Sequence, residues 1–358
     1  MGDPLCLSDA YGIVGAVVTT GTAHLGSSVG LDFVDPDLEN SIVAILGDVE
    51  ALLGDSIESA NPLVTEGARH LLNAGGKRFR PLLVALGSLF GADGHNQQVI
   101  RAGAVVELTH LATLYHDDVM DEALVRRGAP SANARWGNSI AILIGDYLFA
   151  RAADVVTDLG VEAVRIQAHT FSRLVHGQIA ETSGPLEGED AIAHYLGVIS
   201  QKTGSLISTS ARFGAMFGGA SAEQVEALAV YGETCGMAFQ LSDDLLDIAS
   251  ESVQSGKTPG TDLREGVPTL PVLYALASDD SDVASVRLRE ILAVGPVTDD
   301  AMHAEALGLL RESAALKRAR ETVRGYADRA RLSLGVLPAV PARDALESLC
   351  DFIADRTG

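Results

Sequence analysis

At 358 residues the chain can hold one large domain or two ordinary ones, and its 47% hydrophobic content excludes global disorder. Lys and Arg total 26 against 48 Asp and Glu, a formal charge of −22, which argues against nucleic acid, whose phosphates need clustered cations. Aromatics are only 5%, the apolar residues are mostly aliphatic, and Cys6, Cys235 and Cys350 are scattered, which suits packed helices with reduced thiols in a cytosol.

Eleven acids precede the first basic residue, Arg69. Within that region Tyr11 to Leu31 carries no charge, but glycines interrupt it, and Asp3 and Asp9 stand where a signal peptide needs positive charge. Residues 1–34 are therefore expected to form a poorly ordered extension. From Asp35-Pro36 onward, helical signals follow one another: an N-cap with a first-turn proline, then Leu38, Ile42, Ile45, Val49 and Leu52 on one face. Asn61-Pro62 opens a second helix that Gly75-Gly76 stops. Further helices are predicted near 80–90, 96–120, 138–158, 161–183, 189–217, 221–250, 268–277, 282–293, 300–333 and 342–356. There is no strand alternation of useful length and no long linker. The expectation is one all-α domain over 35–358.

Several of these elements carry chemistry. Gly75-Gly76-Lys77-Arg78-Phe79-Arg80 places three cations beside glycines that permit close backbone approach. The 96–120 helix ends in His116-Asp117-Asp118-Val119-Met120-Asp121, and the 221–250 helix ends in Gln240-Leu241-Ser242-Asp243-Asp244-Leu245-Leu246-Asp247. Each reads DDxxD, which puts carboxylates of residues i and i+4 on one helix side. Such repulsion calls for a cation, and a donor set of hard oxygens points to Mg²⁺ or Ca²⁺, Mg²⁺ being the one that shares its shell with substrate phosphate. Arg126-Arg127-Gly128 follows the first cluster. Lys202-Thr203 lies between the clusters, and Gly256-Lys257 and Gly260-Thr261-Asp262 follow the second. The basic stretch 311–331 reads as a solvated helix face.

The order and spacing of these motifs resemble the trans-isoprenyl diphosphate synthase family, the polyprenyl synthetases, from about Asp35 to the C-terminus. The resemblance implies an isoprenoid synthase-type helical bundle around a central cavity, cytoplasmic and usually homodimeric, with peripheral membrane contact at most. It implies sequential head-to-tail condensation of isopentenyl diphosphate onto an allylic primer, farnesyl or geranylgeranyl diphosphate. By the same resemblance, Asp117, Asp121 and Asp243 would be the main ligands of about three Mg²⁺, supported by Asp118, Asp244 and Asp247. Arg126, Lys202, Thr203, Gln240 and Lys257 would complete the allylic site. Lys77, Arg80, His110 and Arg127 would hold isopentenyl diphosphate.

Two departures stand out. Many relatives carry a further Lys after the Gly-Thr-Asp segment; here Arg264 is the substitute, or the site has one cation fewer. Many also have Asp at the position of Glu181. In the family, residues four and five before the first aspartate face the hydrocarbon tunnel. Here these are Thr113 and Ala112, with Thr109 one turn deeper, all small or modest. The implied product has about eight to ten isoprene units, as in menaquinone or ubiquinone side chains, because an apolar chain fills the space that side chains leave. The alternatives are a mid-length synthase, a class I terpene cyclase, a silent regulatory subunit, and a catalytic subunit needing a partner. Intact aspartates oppose the silent subunit, and Lys77, Arg80 and Arg127 oppose the cyclase.

Overall fold

The computed structural model describes residues 35–249 and 259–356. The proposed N-terminal extension, Cys6, Gly256 and Lys257 lie outside the described residues. In order, the helices are α1 (Pro36–Ser56), α2 (Pro62–Asn73), α3 (Phe79–Ser88), α4 (Gln97–Met120), α5 (Ala132–Trp136), α6 (Asn138–Thr157), α7 (Val161–Ser183), α8 (Ala191–Ile199), α9 (Ser205–Gly218), α10 (Ala222–Ala249), α11 (Thr261–Glu265), α12 (Leu270–Leu276), α13 (Val283–Leu292), α14 (Asp300–Glu312), α15 (Ala314–Ser333) and α16 (Pro341–Asp355). The only described sheet is a hairpin in which β1 (Val125–Arg126) pairs antiparallel with β2 (Ala129–Pro130).

Local chemistry sets the helix starts. The Asp35 carboxylate accepts from the amides of Asp37 at 2.8 Å and Leu38 at 3.1 Å, and Pro36 occupies a position whose N–H would be unsatisfied. Asn61 caps α2 by accepting from the Leu63 amide at 3.0 Å, and Asn96 caps α4 by accepting from the amides of Gln98 and Val99. α4 and α10 are apolar around most of their circumference, so they run through the middle of the bundle. α4 packs on α6, and α9 lies between α3 and α10. Val105, Leu108, Leu111, Phe213 and Leu241 are fully buried. Each such side chain contributes about 1.5–3 kcal/mol of transfer free energy. The buried apolar side chains form one cluster from Leu38 to Ile353.

Three boundaries differ from the sequence expectation. The 189–217 helix is divided by a π turn, Ser200–Gly204. The 300–333 helix breaks at Ser313, whose extended backbone (ψ 153°) lets its hydroxyl cap α15 by accepting from Leu316 N. Between α4 and α6 the chain inserts the hairpin and α5. The hairpin turn puts Arg127 (φ 53°) and Gly128 (φ 76°) both in the left-handed region, the geometry that suits a two-residue connection. Arg311 belongs to α14 and donates to the Ile248 carbonyl at 2.8 Å; the rest of the basic stretch lies on α15, whose inner face buries Leu316, Ala319, Val323 and Ala327. Arg318 and Arg329 lie over the rings of Tyr274 and Tyr326, at 4.1 and 3.9 Å. Among the described residues no helix is long and apolar enough to cross a membrane.

Candidate active site

The first aspartate cluster occupies the last turn of α4. Asp118 points inward and is fully buried. Its Oδ1 accepts from Arg126 Nε at 2.6 Å, while its Oδ2 has no protein partner. Asp117 is partly buried, and Asp121 is exposed at the helix C-terminus. Burial, with the Asp121 charge adding to it, pushes the Asp117 carboxyl up to about 6 against the pull of Lys202 and Arg126. The acceptor Oδ2 of Asp118, orphaned in a buried position, suits a hard divalent cation.

The second cluster occupies the end of α10. Asp244 accepts from the Tyr195 hydroxyl and from Gln240 Nε2 at 3.0 Å, and burial raises its carboxyl to about 6. Asp243 Oδ1 accepts from Arg356 Nη2 at 2.6 Å. Asp247 turns to the following segment, where its two oxygens accept from the amides of Thr261 and Asp262, each at 3.2 Å. In this structure Asp247 therefore anchors the Gly260-Thr261-Asp262 loop.

The π turn joins the two clusters. Ser200 at its start bonds Glu233 at 2.7 Å, and Arg173 bonds the same carboxylate at 2.6 Å. Gly177 lets α7 approach closely, because a Cβ there would sit 2.9 Å from the Lys202 side chain. Lys202 pairs with Glu181 and is felt by Asp117. The next residue, Thr203, donates to Gln240 Oε1 at 3.2 Å, and Gln240 in turn holds Asp244. Adjacent residues of one unusual turn thus face one aspartate cluster each, as π turns often do at functional sites. Glu181, Tyr195, Lys202, Thr203, Gln240, Asp244 and Asp262 line a cavity of about 330 Å³, with Val198, Ile199 and Leu273 on its apolar side.

A second, cationic centre lies beside α4. Arg127 donates to the carbonyls of Leu71, at 2.9 Å, and Gly75. Gly76 makes room for it, since a Cβ there would stand 2.9 Å from the guanidinium carbon. Arg80 has an unpartnered Nε, and burial lowers its pKa to about 10. His110 is pushed well below its ordinary value, first by burial and then by Arg80, Arg127, Arg78 and Arg126. Arg78 turns away, pairing with Glu50 at 2.8 Å and with the buried Glu107 at 3.3 Å. Lys77 is exposed at the rim. The centre crowds guanidinium groups around a neutral imidazole, an arrangement that favours a multivalent anion.

Of the chain-length positions, Thr113 is partly exposed, whereas Ala112 and Thr109 are fully buried. None of the three lines the 330 Å³ cavity. Arg264 does not reach the aspartates. It pairs with Asp300 at 2.8 Å and with the Thr298 carbonyl at 3.3 Å.

The Polyprenyl synthetase family profile matches residues 61–309. The chain belongs to the polyprenyl synthetase family. It is 52% identical to the nonaprenyl diphosphate synthase of Mycobacterium tuberculosis, over 92% of this chain and 97% of the relative. It superposes on the geranylgeranyl pyrophosphate synthase of Corynebacterium glutamicum, solved with calcium and isoprenyl diphosphate, with TM-score 0.83 and 45% identity, covering 92% and 100% of the two chains. A decaprenyl diphosphate synthase from Rhodobacter capsulatus matches with TM-score 0.80 and 35% identity, over 90% and 99%. The family's fold accounts for the helical bundle.

Sequence reasoning missed Glu107, Tyr195 and Arg356. Glu107 sits in an apolar run of α4, where a charge with no helical neighbour of opposite sign is itself a signal of a distant partner. Tyr195 stands one residue after His194 in α8 with no motif around it. Arg356 is far from Asp243 in sequence, and only the packing of α16 brings them together.

The raised carboxyls of Asp117 and Asp244 set a pH dependence. A folded-state pKa near 6, above the ordinary value of 3.8, favours the folded state below about pH 4, an advantage lost as pH rises through 6. Protein stripped of metal with EDTA should therefore melt at a lower temperature at pH 7 than at pH 5. An excess of a divalent cation, which could be held only by the ionised carboxylates, should abolish that fall. A melting temperature independent of pH in EDTA would contradict the burial of these groups.

Proposed function

We propose that this polyprenyl synthetase is a trans-polyprenyl diphosphate synthase that condenses isopentenyl diphosphate onto a growing allylic diphosphate. We place it in the cytoplasm, with at most peripheral membrane contact, and read its product as a long all-trans chain of the quinone side-chain type. The observation that carries the reading is the π turn, whose Lys202 and Thr203 link two DDxxD helices beside a separate cationic centre.

Asp117, Asp121 and Asp243 would hold Mg²⁺, with Asp118, Asp244 and Asp247 behind them. Bound Mg²⁺ would neutralise charge growing on the leaving diphosphate. Arg126, Lys202, Thr203, Gln240 and Lys257 would orient the allylic diphosphate, and Lys77, Arg80, His110 and Arg127 would hold that of isopentenyl diphosphate. The allylic C1–O bond breaks with its electrons passing to diphosphate. The isopentenyl double bond then forms the new C–C bond at C1, and a proton leaves to the departed diphosphate. The chain's own work is positioning, preorganised charge and exclusion of water, so no nucleophilic side chain is needed.

We also propose a homodimer. Ile142 and Leu143 of α6 and Phe171, Val175 and Ile179 of α7 are exposed apolar side chains on neighbouring helices, the sort of surface a subunit contact covers. Sedimentation of the pure chain as a dimer is the expected result.

A mid-length product is the second reading, favoured by the closed packing around Thr109. Thr113→Phe tests the tunnel on which both depend. It projects a ring from the partly exposed face of α4, and its products should be shorter than those of the unmodified enzyme by at least one isoprene unit. Unchanged products would remove this face from the tunnel.

A further inference from the structure

Two turns below Asp117, roughly 12 Å along α4, the apolar interior is interrupted by an amide. Gln167 of α7 is only 8% exposed. Its Nε2 donates to Thr109 Oγ1 at 2.6 Å, and its Oε1 has no partner. The Thr109 hydroxyl donates to the Val105 carbonyl at 2.7 Å, so it has no proton left for the amide. One turn along α7, Thr170 meets Thr209 of α9, oxygen to oxygen at 2.6 Å. Polar groups therefore tie α4, α7 and α9 together at one level, where the neighbouring side chains Val105, Leu108 and Leu174 are buried and apolar.

A buried amide with an orphaned oxygen is an expensive thing to keep in a hydrocarbon interior. Its position gives it a use. Thr109, Thr113 and Asp117 are spaced four residues apart and share one side of α4. A tail descending from the aspartates past Thr113 comes next to the Thr109–Gln167 pair. To go further it must part that bond and cover both the amide and the hydroxyl with methylenes.

We infer that Gln167 is a specificity-determining residue: its hydrogen bond to Thr109 forms a polar stop that sets how often the growing chain is released rather than elongated. The inference rests on the tunnel assignment above and adds its chemistry. Shape alone does not make the stop; desolvation does. A lost amide hydrogen bond in an apolar site disfavours the state that loses it by roughly five- to 150-fold, the equivalent of about 1–3 kcal/mol. That factor weights the choice between release and the next condensation.

The test compares Gln167→Leu, which keeps the bulk and removes the polarity, with Gln167→Ala, which removes both. Thr109→Val removes the acceptor with little change of shape. The enzymes are run with Mg²⁺, isopentenyl diphosphate and farnesyl diphosphate, and the dephosphorylated products are sized by chromatography. Their melting temperatures are recorded alongside. Gln167→Leu and Thr109→Val should both raise the ratio of longer to shorter products by fivefold or more; Gln167→Leu should melt at or above the unmodified protein, whereas Thr109→Val, which leaves both ends of the buried amide unpaired, should melt lower. If Gln167→Ala lengthens the products and Gln167→Leu does not, bulk sets the stop and the inference fails. If Gln167→Leu and Thr109→Val leave the distribution unchanged, it fails too, while elongation by the unmodified enzyme in the same assay leaves the functional reading standing.

Discussion

Asp117→Ala is expected to lower kcat by three decades or more, equivalent to about 4 kcal/mol of transition-state stabilisation. Asp117 is the carboxylate of the first cluster that is both partly buried and within the field of Lys202, Glu181 and Asp121. Removing it takes away a proposed metal oxygen and leaves the Lys202–Glu181 pair without its anionic neighbour. The Mg²⁺ concentration for half-maximal rate should rise, while the KM for isopentenyl diphosphate should change little, because the cationic centre is built from α2, α3, the hairpin and the middle of α4. Loss of stability is not expected. The residue carries a burial penalty in the metal-free state, so the alanine variant should melt no lower than the parent in EDTA. A loss of less than tenfold in kcat would remove Asp117 from the catalytic machinery.

Arg80→Met is expected to separate binding from stability. Arg80 lies in the crowded cationic centre with an unpartnered Nε, and burial together with the Arg127 charge opposes its ionisation while Glu107 supports it. Without substrate this guanidinium is a cost, since replacing a poorly compensated buried charge by a packed apolar chain is often neutral or stabilising. The variant should therefore melt at or above the temperature of the parent. Its KM for isopentenyl diphosphate should rise by about 10²-fold, near 3 kcal/mol, the upper range for a charge-assisted hydrogen bond. The KM for the allylic substrate should stay close to the parent's. A variant that binds isopentenyl diphosphate normally would reassign the centre to a structural role.

The contrast between these residues shows what could be read from the chain. The pairs Asp117/Asp121 and Asp243/Asp247 were legible because a four-residue spacing puts both carboxylates of a pair on one helix side. The starts of α1 and α2 were legible because Asp35 and Asn61 each precede a first-turn proline and satisfy amides of the first turn. What depends on distant partners was not visible. The π turn at Ser200–Gly204 is held by Glu233 and Arg173, which sequence cannot bring to it. Arg78 stands in the chain between the two cations assigned to substrate, and only its pairing with Glu50 and Glu107 makes it scaffold. Arg264 looked available, but Asp300, on a helix split off by the Ser313 break, takes it up. Asp247 is held by backbone amides that follow it by 14 and 15 residues. In each case the deciding term is a pairing across elements, and such pairings leave no period in the chain.

The measurement that bears most directly on the central claim uses the purified full chain alone. It is incubated with Mg²⁺, isopentenyl diphosphate and farnesyl diphosphate, and the products are sized. A ladder of linear products extended by successive isoprene units, abolished by EDTA, is the expected result. No elongation by the lone chain, or release of a cyclic hydrocarbon with no use of isopentenyl diphosphate, would contradict it.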